Sequence, residues 1–183
     1  RSGEWAPSSF DRRHQFVVSG MYRFPWSSRR ATVNALVSNW RANAVFVAQS
    51  GSPFTVNLAV DRANIGTGPA QRPDQVRDPN LSRDERTAER WFDTSAFALQ
   101  APLTFGSAPR NSVVGPGYAS LDLALARTVR LGRTALEFRW ETFNLMNRVN
   151  FDLPNRQFGS PNFGRIFSAK NPREMQLGLR VTF

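Results

Sequence analysis

From Arg173 to Phe183 the apolar positions Met175, Leu177, Leu179, Val181 and Phe183 alternate with Glu174, Gln176, Gly178, Arg180 and Thr182. A period of two predicts a strand with one apolar and one polar face. Its length matches the roughly ten residues that a tilted strand needs to cross a bilayer. Four upstream segments carry the same pattern. A first strand is predicted over Arg13 to Phe24, with Phe16, Val18, Gly20, Tyr22 and Phe24 on one face. Pro25 ends it, because proline has no N–H for a ladder, and Trp26 to Arg30 reads as a turn. A second strand is predicted over Val33 to Ser50, with Leu36, Trp40, Ala44 and Phe46 opposite Asn39, Arg41 and Asn43. Gly51-Ser52-Pro53 interrupts it, and Phe54 to Leu58 reads as a continuation beyond a bend. A third covers Tyr118 to Val129, with Leu121, Leu123 and Leu125 on one face and Ser120, Asp122 and Ala124 on the other. Arg130 to Arg133 is a tight turn in which Gly132 is free to take positive φ. A fourth strand follows from Thr134 to Asn144, where Leu136, Phe138 and Trp140 oppose Glu137, Arg139 and Glu141.

The connections alternate short, long, short, long. Ala59 to Gly117 and Asn147 to Pro172 are long and rich in Pro, Gly, Asp and Asn. Structureless connections of such length count against a compact soluble domain. Outer-membrane barrels, in contrast, join antiparallel strands by short periplasmic turns and long extracellular loops. With Phe183 at the periplasmic end, the turns at 25–30 and 130–133 fall on that side and both long loops fall outside. The expected fold is therefore all-β: an antiparallel meander of about five long strands forming part of a transmembrane β-barrel with two long extracellular loops. Five strands cannot close a barrel, for which about eight is the usual minimum. Either several copies assemble or the chain is a piece of a larger barrel. It opens on Arg1 with no initiator Met and no leader, which favours reading residues 1–183 as the C-terminal portion of a larger barrel.

Composition narrows the chemistry. Cysteine is absent and His14 is the only histidine, which leaves no thiol catalysis, disulfide scaffold or multi-histidine metal site. His14 stands at a strand entrance, where a structural role is expected. Net charge is +10, with Lys170 the only lysine among 24 basic residues. The arginines are scattered through turns and polar strand faces rather than gathered on one element, which argues against a nucleic-acid partner. Turning Glu137, Arg139 and Glu141 toward lipid would cost on the order of several kcal/mol. Leu136, Phe138 and Trp140 are therefore assigned to lipid. Arg41, Asp122, Glu137, Arg139, Glu141 and Arg180 are the candidates for an aqueous lumen, with Arg180 as a partner for the Glu137 row. Phe16, Phe46, Tyr22, Phe24, Trp26 and Phe183 are placed to form interfacial girdles. Glu137 and Glu141 lie about 13 Å apart along one strand, too far for a working carboxylate pair. No catalytic residue, metal site or cofactor is expected. Asn144, Asn147, Asn150, Asn155 and Asn162 are read as turn formers rather than ligands for Ca²⁺ or sugar. Trp91, Phe92, Phe97 and Phe105 in the first long loop are candidates either for ligand contact at the outer mouth or for pinning the loop. Similar alternation also closes soluble sandwiches, so a soluble extracellular carbohydrate-binding module is the alternative.

Beyond the pattern, particular residues carry a resemblance. LEFRWETFNLMN from Leu136 to Asn147 is followed by Asn150-Phe151, Pro154-Asn155, SPNFGRI from Ser160 to Ile166, and PREMQ from Pro172 to Gln176. Upstream come DRRHQF from Asp11, QSGSPFT from Gln49, RPD from Arg72, WFDTSAF from Trp91, Arg110-Asn111 and Gly115-Pro116-Gly117. In this order they resemble the C-terminal barrel end of TonB-dependent receptors of the Oar-like type, and the match covers nearly the whole chain. The terminal strand, Met175, Leu177, Leu179, Val181 and Phe183, resembles the insertion signal of bacterial outer-membrane barrels. The resemblance implies a location in the cell outer membrane and a role in the wall and outer mouth of an uptake pore. Its implied partners are outer-membrane lipid, the barrel-assembly machinery, a transported substrate of unknown identity, and the TonB system through N-terminal parts outside this chain.

Overall fold

The computed structural model describes residues 5–66 and 71–183; positions 67–70 of the first long connection lie outside the described residues. The chain divides into two compact units: Gln15–Gln49, Tyr118–Val149 and Asn171–Phe183 make one, and the segments through His14, Ser50–Gly117 and Asn150–Lys170 make the other.

The first unit is a single antiparallel sheet. Its strands are β1 (Gln15–Arg23), β2 (Trp40–Gln49), β8 (Tyr118–Leu131), β9 (Thr134–Phe143) and β11 (Glu174–Thr182), in the order β1-β2-β8-β9-β11. Each lies beside its neighbour in sequence, so the sheet is the expected meander. Four of the five are nine or ten residues long, the length for a tilted bilayer crossing. The register pairs Val45 with Asp122 and Ala44 with Leu123, then Ala124 with Glu141 and Leu125 with Trp140. It goes on to pair Glu141 with Gln176 and Trp140 with Leu177. Because side chains alternate with period two, these rows fix one face for Leu123, Leu125, Trp140 and Leu177 and the other for Asp122, Glu141 and Gln176. No second layer covers the apolar face within this unit: Leu177 and Leu179 are each 71% exposed. A soluble sandwich needs that second layer.

One element differs from expectation. Residues 33–37 are not strand; Ala31–Val37 forms the helix α1, and β2 begins at Trp40. Val33, Leu36 and Val37 follow an i, i+3, i+4 spacing, so the segment fits a helical stripe as well as a pleat. Asn34 organises the turn: its Oδ1 accepts the Ser28 N–H at 2.9 Å and its carbonyl accepts the Ser38 hydroxyl at 2.6 Å. Asn39 then takes φ 62°, which reverses the chain into β2.

The second unit is built from the long connections, and it is not structureless. Residues 53–58 do not continue β2. They form β3 (Pro53–Phe54), which pairs with β7 (Val113–Val114), and β4 (Asn57–Leu58), which runs parallel to β10 (Gln157–Phe158). A third small ladder joins β5 (Asp74–Gln75) to β6 (Phe97–Ala98). Phe54, Val56, Phe92, Ala96, Phe97, Ala108 and Val113 form its buried core, with Trp91, Phe158 and Phe163 packed against it. Two glycine motifs meet within it. The Gly115 N–H donates to the Ser52 carbonyl at 2.9 Å, and a Cβ on Gly51 would lie 1.8 Å from the Gly115 carbonyl oxygen. Only a residue without a side chain allows the two backbones to approach so closely. Gly51→Ala should therefore loosen this unit, read as faster amide exchange at Gly115.

Candidate functional site

In the sheet, all six lumen candidates share one face. Arg41 opposes Ala126, Ala126 opposes Arg139, Glu137 opposes Arg180, and Asp122 lies on the same side of β8. The small side chain of Ala126 leaves room for a bridge across β8: Arg41 Nη2 reaches Glu137 Oε2 at 2.6 Å. Sequence reading offered Arg180 to Glu137, and Arg180 is indeed directly opposite, but the carboxylate is held by Arg41. Neighbour distance along a register does not decide a pairing when a long guanidinium can reach over an alanine. Arg139 Nε lies 3.2 Å from Glu141 Oε1, and the Gln176 amide also donates to Glu141. Asp122 accepts from the Ser120 hydroxyl at 2.8 Å and from the Asn144 N–H at 2.9 Å. The face is a polar network in which acids and bases alternate. Partly exposed ion pairs contribute little stability, typically about 0–1 kcal/mol each, so the network sets the polarity of this face rather than holding the sheet together.

The opposite face is apolar. It carries Leu136, Phe138 and Trp140 on β9 opposite Val181, Leu179 and Leu177 on β11, with Met175 opposite Thr142. Aromatic pairs stand toward its two ends. Phe16 and Phe46 meet edge-to-face at 6.1 Å. At the other end Tyr22, Phe24 and Trp26 form a chain with centroid distances of 5.1 and 4.3 Å. Such pairs fit interfacial belts, where a ring needs apolar and polar surroundings together. Phe183 follows β11 and is 99% exposed.

In the loop unit the four aromatic candidates separate. Phe92 and Phe97 are 1% and 5% exposed, and Phe92 meets Phe54, Phe97 and Phe163 edge-to-face at 5.1–6.0 Å. Neither is available to a ligand, which corrects the ligand-contact reading for both. They are apolar rings inside a core, and their work is pinning. Trp91 is half-buried, with its indole N–H donating to the Val114 carbonyl at 2.9 Å and Arg86 over its ring at 5.6 Å. Phe105 alone of the four is open, at 73% exposure. The asparagines are held in turns: Asn144 and Asn147 take φ 49°, and Asn144 both donates to and accepts from the Arg148 backbone. The His14 carbonyl accepts the Ser50 N–H at 2.9 Å, and the His14 N–H donates to the Ser50 hydroxyl at 3.1 Å.

A group that the sequence did not single out organises the edge of this unit. Asp93 accepts from Arg77 at 2.8 Å and from the Ser95 hydroxyl at 2.6 Å. The Arg77 and Ser95 bonds pull its carboxyl from 3.8 down to about 2. A carboxylate whose folded value lies below its unfolded value stabilises above the unfolded value, and that contribution is lost as pH falls through the folded one. Acidification from pH 4 to pH 2 should therefore speed amide exchange around Ser95. Asp93→Asn should remove that pH step and leave exchange fast throughout. An unchanged step in the variant would assign it to another carboxylate.

Residues 1–176 match the family model described as an outer membrane beta barrel domain. The chain belongs to that family. The barrel domain thus lies in the outer membrane, in agreement with strands of crossing length and a sheet divided into apolar and charged faces. No helix among its described residues is long and apolar enough to cross a membrane, as expected where strands do the crossing. Neither the curated proteins nor the solved structures contain a match.

Proposed function

We propose that this chain is the C-terminal portion of the barrel of a TonB-dependent receptor of the Oar-like type, contributing wall and outer mouth to a substrate-uptake pore rather than an enzyme active site. The observation that carries the reading is the five-stranded sheet itself: one face charged, the other apolar, and, among the described residues, β1 and β11 each with a partner strand on one side only. In hydrocarbon an open sheet edge is excluded, since every backbone N–H and C=O must be paired. Both edges therefore call for further strands, as a larger barrel supplies. The ordered motifs from Asp11 to Phe183 support the finer assignment. On this reading the charged row from Arg41 to Arg180 borders the lumen, and TonB acts through a plug and periplasmic segment elsewhere in the protein. The terminal strand is read by the barrel-assembly machinery, and no cofactor takes part.

The complete protein, extracted in detergent, should be retained on the immobilised periplasmic domain of TonB; failure to bind would remove the receptor assignment while leaving the barrel intact. Phe183→Asp should reduce heat-modifiable, membrane-inserted protein several-fold. Normal insertion of that variant would show that the terminal aromatic is not part of the signal. No observation favours the soluble carbohydrate-binding module, whose exposed apolar sheet face would have to lie in water.

A further inference from the structure

We propose that the sheet unit carries an oxyanion-binding site for a phosphate group at the end bearing its short connections. A cleft of about 520 Å³ opens there, lined by Arg23 at the end of β1, Arg41 at the start of β2, and Arg127, Thr128 and Arg130 near the end of β8, with Ser38 and Asn39 closing it from the α1–β2 connection. Arg23, Arg41 and Arg130 share the charged face of the sheet, so three of the lining arginines border the cleft from one side. Arg23 and Arg41 are direct cross-strand partners, a like-charge juxtaposition that is destabilising on its own. Among the described residues, the one carboxylate paired with a lining group is Glu137, bound by Arg41. Arg127 is fixed by its Nε–H bond to the Ser38 carbonyl at 3.1 Å and lies over the Trp40 ring at 5.8 Å. That leaves the outer nitrogens of its guanidinium for another acceptor.

The cleft therefore concentrates positive charge, presents planar donors from three strand ends, and offers the Thr128 hydroxyl beside them. Planar guanidinium forks match the oxygens of a phosphate with two parallel hydrogen bonds. An anion between Arg23 and Arg41 would replace a repulsion by two charge-assisted contacts. The Trp40–Arg127 pair stands on the lipid-facing side of the sheet and the other arginines on the charged side. Two sources of phosphate fit this placement: a phospholipid headgroup, or a free or substrate-borne phosphate. The inference does not depend on the TonB assignment and would stand if that assignment failed.

The test uses the complete protein in two settings. In dodecyl maltoside, inorganic pyrophosphate is titrated calorimetrically. In nanodiscs, retention of phosphatidylglycerol over phosphatidylcholine is measured by mass spectrometry of co-purified lipid. Wild type should bind in at least one setting, and R23Q with R130Q should weaken that binding by about tenfold or more. R83Q, at an exposed arginine of the loop unit that does not line the cleft, should bind as wild type does, with all three proteins equally heat-modifiable. Pyrophosphate binding points to a soluble phosphate, and selective retention of phosphatidylglycerol to a headgroup. No binding in either setting, or equal binding by the double variant, overturns the proposal.

Discussion

Arginine in place of Leu125 should cost the folded barrel about 2–4 kcal/mol, the usual cost of a basic side chain near the bilayer midplane. Leu125 stands halfway along β8, between Ala42 on one neighbour and Trp140 on the other. Its face carries leucines and aromatic residues in successive rows, so a guanidinium there has no acceptor and no short route to water. The loss should appear as a lower urea midpoint and a smaller heat-modifiable fraction in membranes. Val45→Arg is the matched control. Val45 lies directly opposite Asp122 on the charged face, where an added guanidinium meets a carboxylate and water. It should be close to neutral. Equal damage from the two substitutions would mean that the faces are not divided between hydrocarbon and water as assigned.

Phe92→Ala should destabilise the loop unit by about 3–5 kcal/mol. The ring touches Phe54, Phe97 and Phe163, and its removal leaves a void walled by aromatic edges that cannot all collapse inward. Proteolysis and amide exchange across residues 50–117 and 150–170 should rise sharply while the sheet keeps its heat-modifiability. Phe92→Leu retains most of the volume and should cost less, within about 1.5 kcal/mol. Phe105→Ala, at an exposed position, should change neither readout. Unfolding of the sheet together with the loops in Phe92→Ala would contradict the division into two compact units.

Period-two alternation made the five strands legible in the sequence, because a pleat writes its two faces directly into successive residues. The charged row was legible for the same reason: Glu137, Arg139 and Glu141 fall on one side of the pleat. The stretch before Trp40 was misread because a seven-residue segment is too short to separate a helical stripe from alternation. Asn34 and Asn39, which hold and end the helix, act through hydrogen bonds and a positive φ rather than through hydropathy. The Arg41–Glu137 bridge was hidden for another reason. Its partners are 96 residues apart, and nothing local marks which acid a guanidinium will reach. The loop core was equally opaque. Phe54, Phe92 and Phe163 belong to no common period, so composition alone made the connections look unstructured.

The loop core also constrains the timing of folding. β4 lies beside β10, a hundred residues later, and Phe163 completes a cluster begun by Phe54. Contacts of such long sequence separation pay their loop-closure entropy before any burial rewards them. The β1–β2 and β8–β9 pairs can zip locally, whereas the β2–β8 pairing and the β4–β10 ladder each close a long loop. The aromatic cluster gains Phe158 and Phe163 only after the second long connection is made. A chain halted after Val149 would hold four sheet strands while its aromatic cluster, lacking Phe158 and Phe163, stayed open to water, a ready target for periplasmic quality-control proteases.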